Sequence, residues 1–261
     1  MTNFLRLCIV ALLCGLAAFP ATAQNKTDKN GKKQGEWVKK YPNGNTMYEG
    51  SFKDDEPVGT FKRYYENGML KSVQVYETGD ISSVKLYSQD SKTVIAEGNF
   101  RGKAKHGMWK LYKDGKLLTE EVYKDDKKHG MTKTYSDGNV IEEIPYNEGK
   151  IDGVHRYFLP NGKLYSETSY KNGIKDGTYK VYEGNSSPVI FGTYKKGKKD
   201  GDWTSLDEKG NVSEVLKYKD GVLTNKKEIN KERNRRFEER ERSKGTILEP
   251  NEVLGVEVQS K

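Results

Sequence analysis

Between residues 35 and 223 the chain alternates large and polar residues in short runs of one design: GEWVKKY at 35–41, GTFKRYY at 59–65, GMWKLYK at 107–113 and GTYKVYE at 177–183. Period-two alternation over five to seven residues predicts half-buried β-strands. The runs are separated by YPNG (41–44), YENG (65–68), KDG (113–115), SDG (136–138), LPNG (159–162) and EKG (208–210). Asn-Gly and Asp-Gly between strand-like segments predict tight hairpins. A second run follows each turn and ends on an aromatic: Phe52, Tyr76, Phe100, Tyr123, Tyr146, Tyr170, Tyr194 or Tyr218. A turn rich in Lys, Gly and Asp comes next.

Aligned on Gly35, Gly59, Gly107, Gly130, Gly153, Gly177 and Gly201, the units recur at intervals of 24, 48, 23, 23, 24 and 24. The long interval hides a degenerate unit, read here as starting at Ser83. The pattern therefore predicts an all-β fold: an elongated single-layer antiparallel sheet of about eight stacked β-hairpins over 35–224, with a short C-terminal helix. Sixteen strands at roughly 4.8 Å apart extend about 75 Å. Neighbouring units must stabilise one another, because a lone hairpin is marginal.

The repeat resembles the MORN-repeat-variant family, which includes YwqK-type antitoxin proteins. GTYKVY (177–182), GMWKLYKDGK (107–116) and GVHRYFLPNGKLY (153–165) carry the likeness. The departures are Thr132 and His155 at the early aromatic position, GNSSPV (184–189) in place of an NGK turn, and the degenerate third unit. The resemblance implies a repeat scaffold. It also implies two alternative roles, neutralisation of a partner toxin and peripheral association with a membrane or anionic lipid.

Composition adds a compartment. LCIVALLCGLAAF (7–19) follows Arg6 and is closed by Pro20 and ATA (21–23). This is the pattern of a secretory signal peptide cleaved between Ala23 and Gln24. An uncleaved anchor is one alternative; lipoprotein processing at Cys14 is another, and Leu13 before it speaks against it. Both cysteines, Cys8 and Cys14, lie in this leader, so the exported chain would contain neither a disulfide nor a thiolate site. The expected location is the periplasm, outer envelope or extracellular space. Residues 24–34 read as a polar lead.

The chain is 32% charged, with a formal net charge of +8, and its mean hydropathy is −0.92. Aromatics nevertheless reach 11%, which does not fit a disordered chain. Two aromatic rows emerge in register: Trp37, Phe61, Trp109, Tyr179 and Trp203, then Tyr41, Tyr64, Tyr112, Tyr135, Phe158 and Tyr182. Lys110, Lys133 and Lys180 recur between them. Three-residue spacing places the two rows on opposite sheet faces unless a bulge intervenes. Most of these rings are expected to pack on each other, and the remainder, with the lysines, form the candidate binding face. A protein or an envelope glycan or lipid is the expected partner. Nucleic acid would suit aromatics among lysines, but an exported chain rarely meets it.

Chemical sites are not indicated. His106 and His129 precede a unit's glycine, where later units hold Asp152, Asp176 and Asp200, so both read as turn residues. His155 takes the slot of Trp109 and reads as a packing ring. Glu120–Glu121 and Glu142–Glu143 are sequence neighbours whose side chains point to opposite faces of a strand. No catalytic residue, metal site or cofactor is expected. KKEINKERNRRFEERERSK (226–244) reads as a solvated helix that caps the last hairpin, with 225–244 its segment. Residues 245–261 read as a disordered tail in which VLGVEV (253–258) suits a short edge strand.

Overall fold

The computed structural model describes residues 24–244 apart from 78, 91, 185 and 186. The expected signal peptide with its cleavage between Ala23 and Gln24, and the 245–261 tail, fall outside the described residues or at their edge.

The described chain forms one open antiparallel sheet of 20 strands followed by one helix. Each strand pairs with its neighbours in sequence, giving a simple meander. Eight hairpins make up its body. They begin at Lys33–Lys40 with Thr46–Lys53 and end at Lys198–Leu206 with Val212–Lys219. Four two-residue strands complete the count. Lys127–Lys128 and Lys150–Ile151 are split from the strands that follow by His129 and Asp152; Lys26–Thr27 and Val222–Leu223 flank the two ends. Part of the polar lead therefore belongs to the sheet.

The repeat is visible in the pairing register. Gly35 faces Phe52, Gly59 faces Tyr76, Gly107 faces Tyr123 and Gly201 faces Tyr218. In the degenerate third unit Phe100 faces Ser82. The unit therefore starts one residue before Ser83, and Val84 takes the early aromatic slot. The sequence offers no glycine there to fix the phase.

The shorter hairpin turns use two consecutive left-handed residues, as at Asp114 (φ 52) and Gly115 (φ 75). This geometry matches the strand twist, and it favours Asn, Asp and Gly. Between hairpins the same geometry recurs at Asn172–Gly173 and Lys196–Gly197. Lys196 at φ 50, like Glu148 at φ 48, departs from the Asn and Asp found at the other turns. Lys196→Asn is expected to raise stability by about 0.5 kcal/mol, since Asn visits this region more readily. Urea unfolding checks it, and no gain would mean that the backbone there is unstrained.

At both sheet ends an asparagine extends the pairing begun by the two-residue edge strand. At the first edge the Asn25 backbone N–H donates to the Glu36 carbonyl (2.8 Å), and its side-chain Oδ1 accepts from Val38 N–H (2.9 Å). At the last edge Asn225 Oδ1 accepts from Lys217 N–H (2.9 Å), and its Nδ2 donates to the Val215 carbonyl (2.9 Å). Edge strands otherwise offer unpaired backbone groups.

The helix Lys226–Lys244 buries no residue. It is held by its own ion pairs: Arg235 with Glu232 and Glu239, Arg236 with Glu232, and Lys244 with Glu241. Hydrogen bonds from Arg235 and Arg236 pull the Glu232 carboxyl down to about 2. One bidentate contact ties the helix to the sheet, from Arg233 Nε and Nη2 to the two Glu214 oxygens at 2.9 and 3.0 Å. This pair is exposed, so Arg233→Ala should cost less than about 1 kcal/mol of global stability. It should nevertheless raise amide exchange along the helix. Unchanged exchange would show that the tether does not hold it.

Candidate functional site

The two faces of the sheet carry different chemistry, and adjacent residues place it there. Phe61 and Lys62 are neighbours in one strand and so point to opposite faces. The face carrying Phe61 is the ring face; the face carrying Lys62 is the ladder face.

On the ring face the early aromatics are mostly core. Trp109, Phe61 and Trp203 are 2%, 3% and 5% exposed, although a single-layer sheet has no second layer to cover them. Glycines in the preceding strand make this possible. Gly50, Gly98 and Gly192 lie beneath Phe61, Trp109 and Trp203, and a Cβ on any of the three would fall within 2.4 Å of ring carbon. Each glycine is also the residue skipped in a register shift. The irregularity leaves the next carbonyl free. Trp109 Nε1 donates to the Asn99 carbonyl (2.9 Å), and Trp203 Nε1 to that of Thr193 (3.1 Å). Neighbouring rings close the sides: Phe100 sits 5.1 Å from Trp109, while Tyr179 and Tyr194 sit 5.2 and 5.0 Å from Trp203. Lysines then lie over the rings, Lys105 at 4.6 Å from Trp109 and Lys199 at 4.1 Å from Trp203. Phe61, Trp109 and Trp203 are thus removed from the expected binding face, because the glycine troughs bury them. Trp37 and Tyr179 remain half-buried.

His155 fills the same slot. It is 8% exposed, its ring lies 4.5 Å from that of Tyr157, and Nε2 is 2.9 Å from Glu142 Oε1. It packs as a ring and also reaches a carboxylate partner. His106 and His129 lie 3.6 Å from Asp125 and Glu148 at the turns. Among the described residues no group of three His, Cys, Asp or Glu is placed to hold a metal ion.

The ladder face holds Tyr64, Tyr112, Tyr135 and Tyr182 with Lys110, Lys133 and Lys180. The candidate set is therefore split between two faces rather than gathered on one. A register shift does occur beside each of these tyrosines, but it does not carry them across to the ring face. Their partners show this. Tyr64 donates to Glu49 (2.6 Å), Tyr112 to Glu97 (2.7 Å), Tyr135 to Glu120 (2.7 Å) and Tyr182 to Glu167 (2.9 Å). Those glutamates stand beside the lysine row. Cross-strand register runs Lys85–Glu97–Lys110–Glu120–Lys133–Glu143–Arg156–Glu167–Lys180 across consecutive strands. Charges therefore alternate over nine positions. Lys110–Glu120 and Lys133–Glu143 span 3.7 and 3.6 Å, and Arg156–Glu167 spans 2.9 Å.

The ladder shifts the phenols. Burial and the Glu49 hydrogen bond push Tyr64 up to about 12; the Glu97 bond and burial do the same for Tyr112; burial and Glu120 do it for Tyr135. In return, the Tyr64 hydrogen bond lowers the Glu49 carboxyl. Glu120 and Glu121 serve opposite faces, since Glu121 binds Lys128 (2.8 Å) and Tyr123 (2.7 Å) on the ring side. Burial would raise the Glu121 carboxyl, but those two bonds hold it below its ordinary value.

The glutamate row went unread in the sequence, although its signal is plain. A glutamate stands 13 residues before each of Lys62, Lys110, Lys133, Arg156 and Lys180. Glycines likewise stand 11 residues before Phe61, Trp109 and Trp203.

Each of these arrangements is a property of the repeated hairpin rather than of a single site. Three stretches of the chain match the model of the MORN repeat variant: residues 33–54, 57–83 and 151–172. The first two fall on the hairpins 33–53 and 56–76, and the third on the hairpin within 150–171. A search of curated proteins finds no match to the chain. The protein is similar to this repeat variant and is built as a repeat scaffold.

Proposed function

We propose that the protein is a non-catalytic exported scaffold that binds a protein partner across several units of its ladder face. The alternating ladder with its flanking phenols carries this reading. Alternating signs at one strand spacing cancel at a distance but give strong local discrimination of register. That suits a polypeptide surface of matching charge pattern. It does not suit anionic lipid headgroups, which respond to a summed basic field. Export rests on the leader pattern over 1–23. Neutralisation of a toxin acting in the envelope is the narrower form of the same reading.

The test is co-purification from an envelope fraction with wild type and with Lys110→Glu/Lys133→Glu, both confirmed folded by circular dichroism. Wild type should retain a specific partner that the charge-reversed variant loses. Equal recovery would remove the ladder face from binding. N-terminal sequencing of the exported protein should begin at Gln24, and an intact leader would overturn cleavage there.

A further inference from the structure

In five units a lysine lies over the unit's late aromatic ring. Lys33 stands 4.6 Å from Phe52, Lys105 4.8 Å from Tyr123, Lys128 5.1 Å from Tyr146, Lys175 5.1 Å from Tyr194 and Lys199 5.0 Å from Tyr218. The second, third and sixth units break this rule, with Pro57, Asp80 and Ile151 in the lysine slot. Among the described residues, no lysine or arginine lies over the Tyr76 ring.

What sets the seam between the second and third units apart is that two further positions reverse there. The residue after the late aromatic is basic in six units and Asn147 in one, but Glu77 after Tyr76. The residue before the lysine slot is acidic only at Glu56. These reversals converge in space. Glu56, Glu77 and Asp80 line one cavity of about 910 Å3 together with Pro57, Val58 and Tyr76. Val58 is 38% exposed, where later units hold His106, His129 or Asp152. Lys103 also borders the cavity, and Arg101 approaches Asp80 at 3.8 Å. Glu56 and Glu77 have no ion-pair partner among the described residues.

The seam thus pairs an uncovered ring with apolar sides and two unanswered carboxylates, in a chain of net charge +8. We propose that it is a slot for a lysine or arginine side chain presented by a polypeptide partner. The cation takes the place over Tyr76 that the protein's own lysines take elsewhere, and Glu56 and Glu77 accept its N–H groups. The aliphatic stem lies along Pro57 and Val58. Carboxylates that accept hydrogen bonds select a cation carrying N–H donors over a quaternary amine. The proposal rests on the scaffold reading only in taking the occupant to be a polypeptide.

The test is a nitrogen-15 NMR titration of the full exported chain with a capped Gly-Lys-Gly-Lys-Gly-Lys peptide, and with its Gln-for-Lys counterpart. The lysine peptide should shift resonances within 56–64, 70–77 and 79–81, and the glutamine peptide should not. Pro57→Lys, which supplies an internal ammonium as Lys33 does, should weaken binding about tenfold or more. Glu77→Gln should weaken it without adding any group to the slot, and melting curves establish that both variants fold. Absent shifts at millimolar peptide, shifts scattered over the whole sheet, or unchanged affinity in both variants would overturn the slot. The two proposals fail separately. Peptide binding here with no effect of the ladder variants on partner recovery sinks the ladder reading alone; the converse sinks the slot alone.

Discussion

Trp109→Ala is expected to cost about 3–5 kcal/mol, the range for removing a fully buried large aromatic, and Gly98→Ala about 1–3 kcal/mol by overpacking. The two effects share one cause. A Cβ at residue 98 would lie 2.3 Å from Trp109 Cδ2, and the indole cannot yield easily. It is pinned by its bond to the Asn99 carbonyl and wedged against Phe100. The backbone at Gly98 is ordinary, so the penalty is steric rather than conformational. In the Trp109→Ala background the same Gly98→Ala change should therefore be close to neutral. A double-mutant cycle by urea unfolding reads this coupling. Equal cost of Gly98→Ala in both backgrounds would show that the trough does not depend on the ring. Amide exchange should rise first in Val94–Arg101 and Ala104–Lys113, because stacked units open locally.

Alkaline pH is expected to unfold the sheet cooperatively between pH 10 and about 12. Tyr64, Tyr112 and Tyr135 are each raised from 10.0 to about 12, as is Tyr157 by burial and Glu142. The sign follows from linkage. In the unfolded chain these phenols release their protons near 10; in the folded sheet they keep them longer. The stability they contribute is complete below pH 10 and is lost as pH rises toward the folded values. Ionisation would also set a phenolate against a carboxylate at hydrogen-bond distance. Tyrosinate absorbance should therefore appear together with loss of the β circular-dichroism signal. Tyr112→Phe/Tyr135→Phe should broaden or shift that transition. Tyrosinate forming fully at pH 10 with the sheet intact would contradict it.

Much of the architecture was legible in the sequence because a hairpin repeat writes itself many times. The turns at Asp114-Gly115 and Asp137-Gly138, the late aromatics opposite the unit glycines, and the helix at 226–244 all follow from local rules. The opposite facing of Trp109 and Tyr112 follows from their three-residue spacing. What escaped depends on contacts between strands rather than along them. Lys110 read alone suggests a basic row; only the cross-strand register reveals Glu97 and Glu120 on either side. Trp109 read alone fits either a packing ring or a binding face; only Gly98, one strand earlier, reveals why it is buried. The third unit slipped by one residue because Ser82 and Val84 lack the glycine and aromatic that mark the phase elsewhere.

Asn25 and Asn225 give this sheet a property that its interior lacks. Every interior hairpin presents the same docking geometry on both sides, so nothing in the repeat itself limits its number. The limit lies at the rims, where the two-residue strands Lys26–Thr27 and Val222–Leu223 pair with the outer strands and Asn25 and Asn225 occupy the backbone groups beyond them. Copies meeting rim to rim are therefore expected to find the backbone positions at residues 36–38 and 215–217 already taken, which disfavours fibrous growth. Lengthening must instead happen by insertion. A chain in which the hairpin 174–195 is duplicated should behave as a longer monomer in light scattering. Asn25→Ala/Asn225→Ala should instead join copies end to end, and a strictly monomeric double variant would show that the rims are closed by other means.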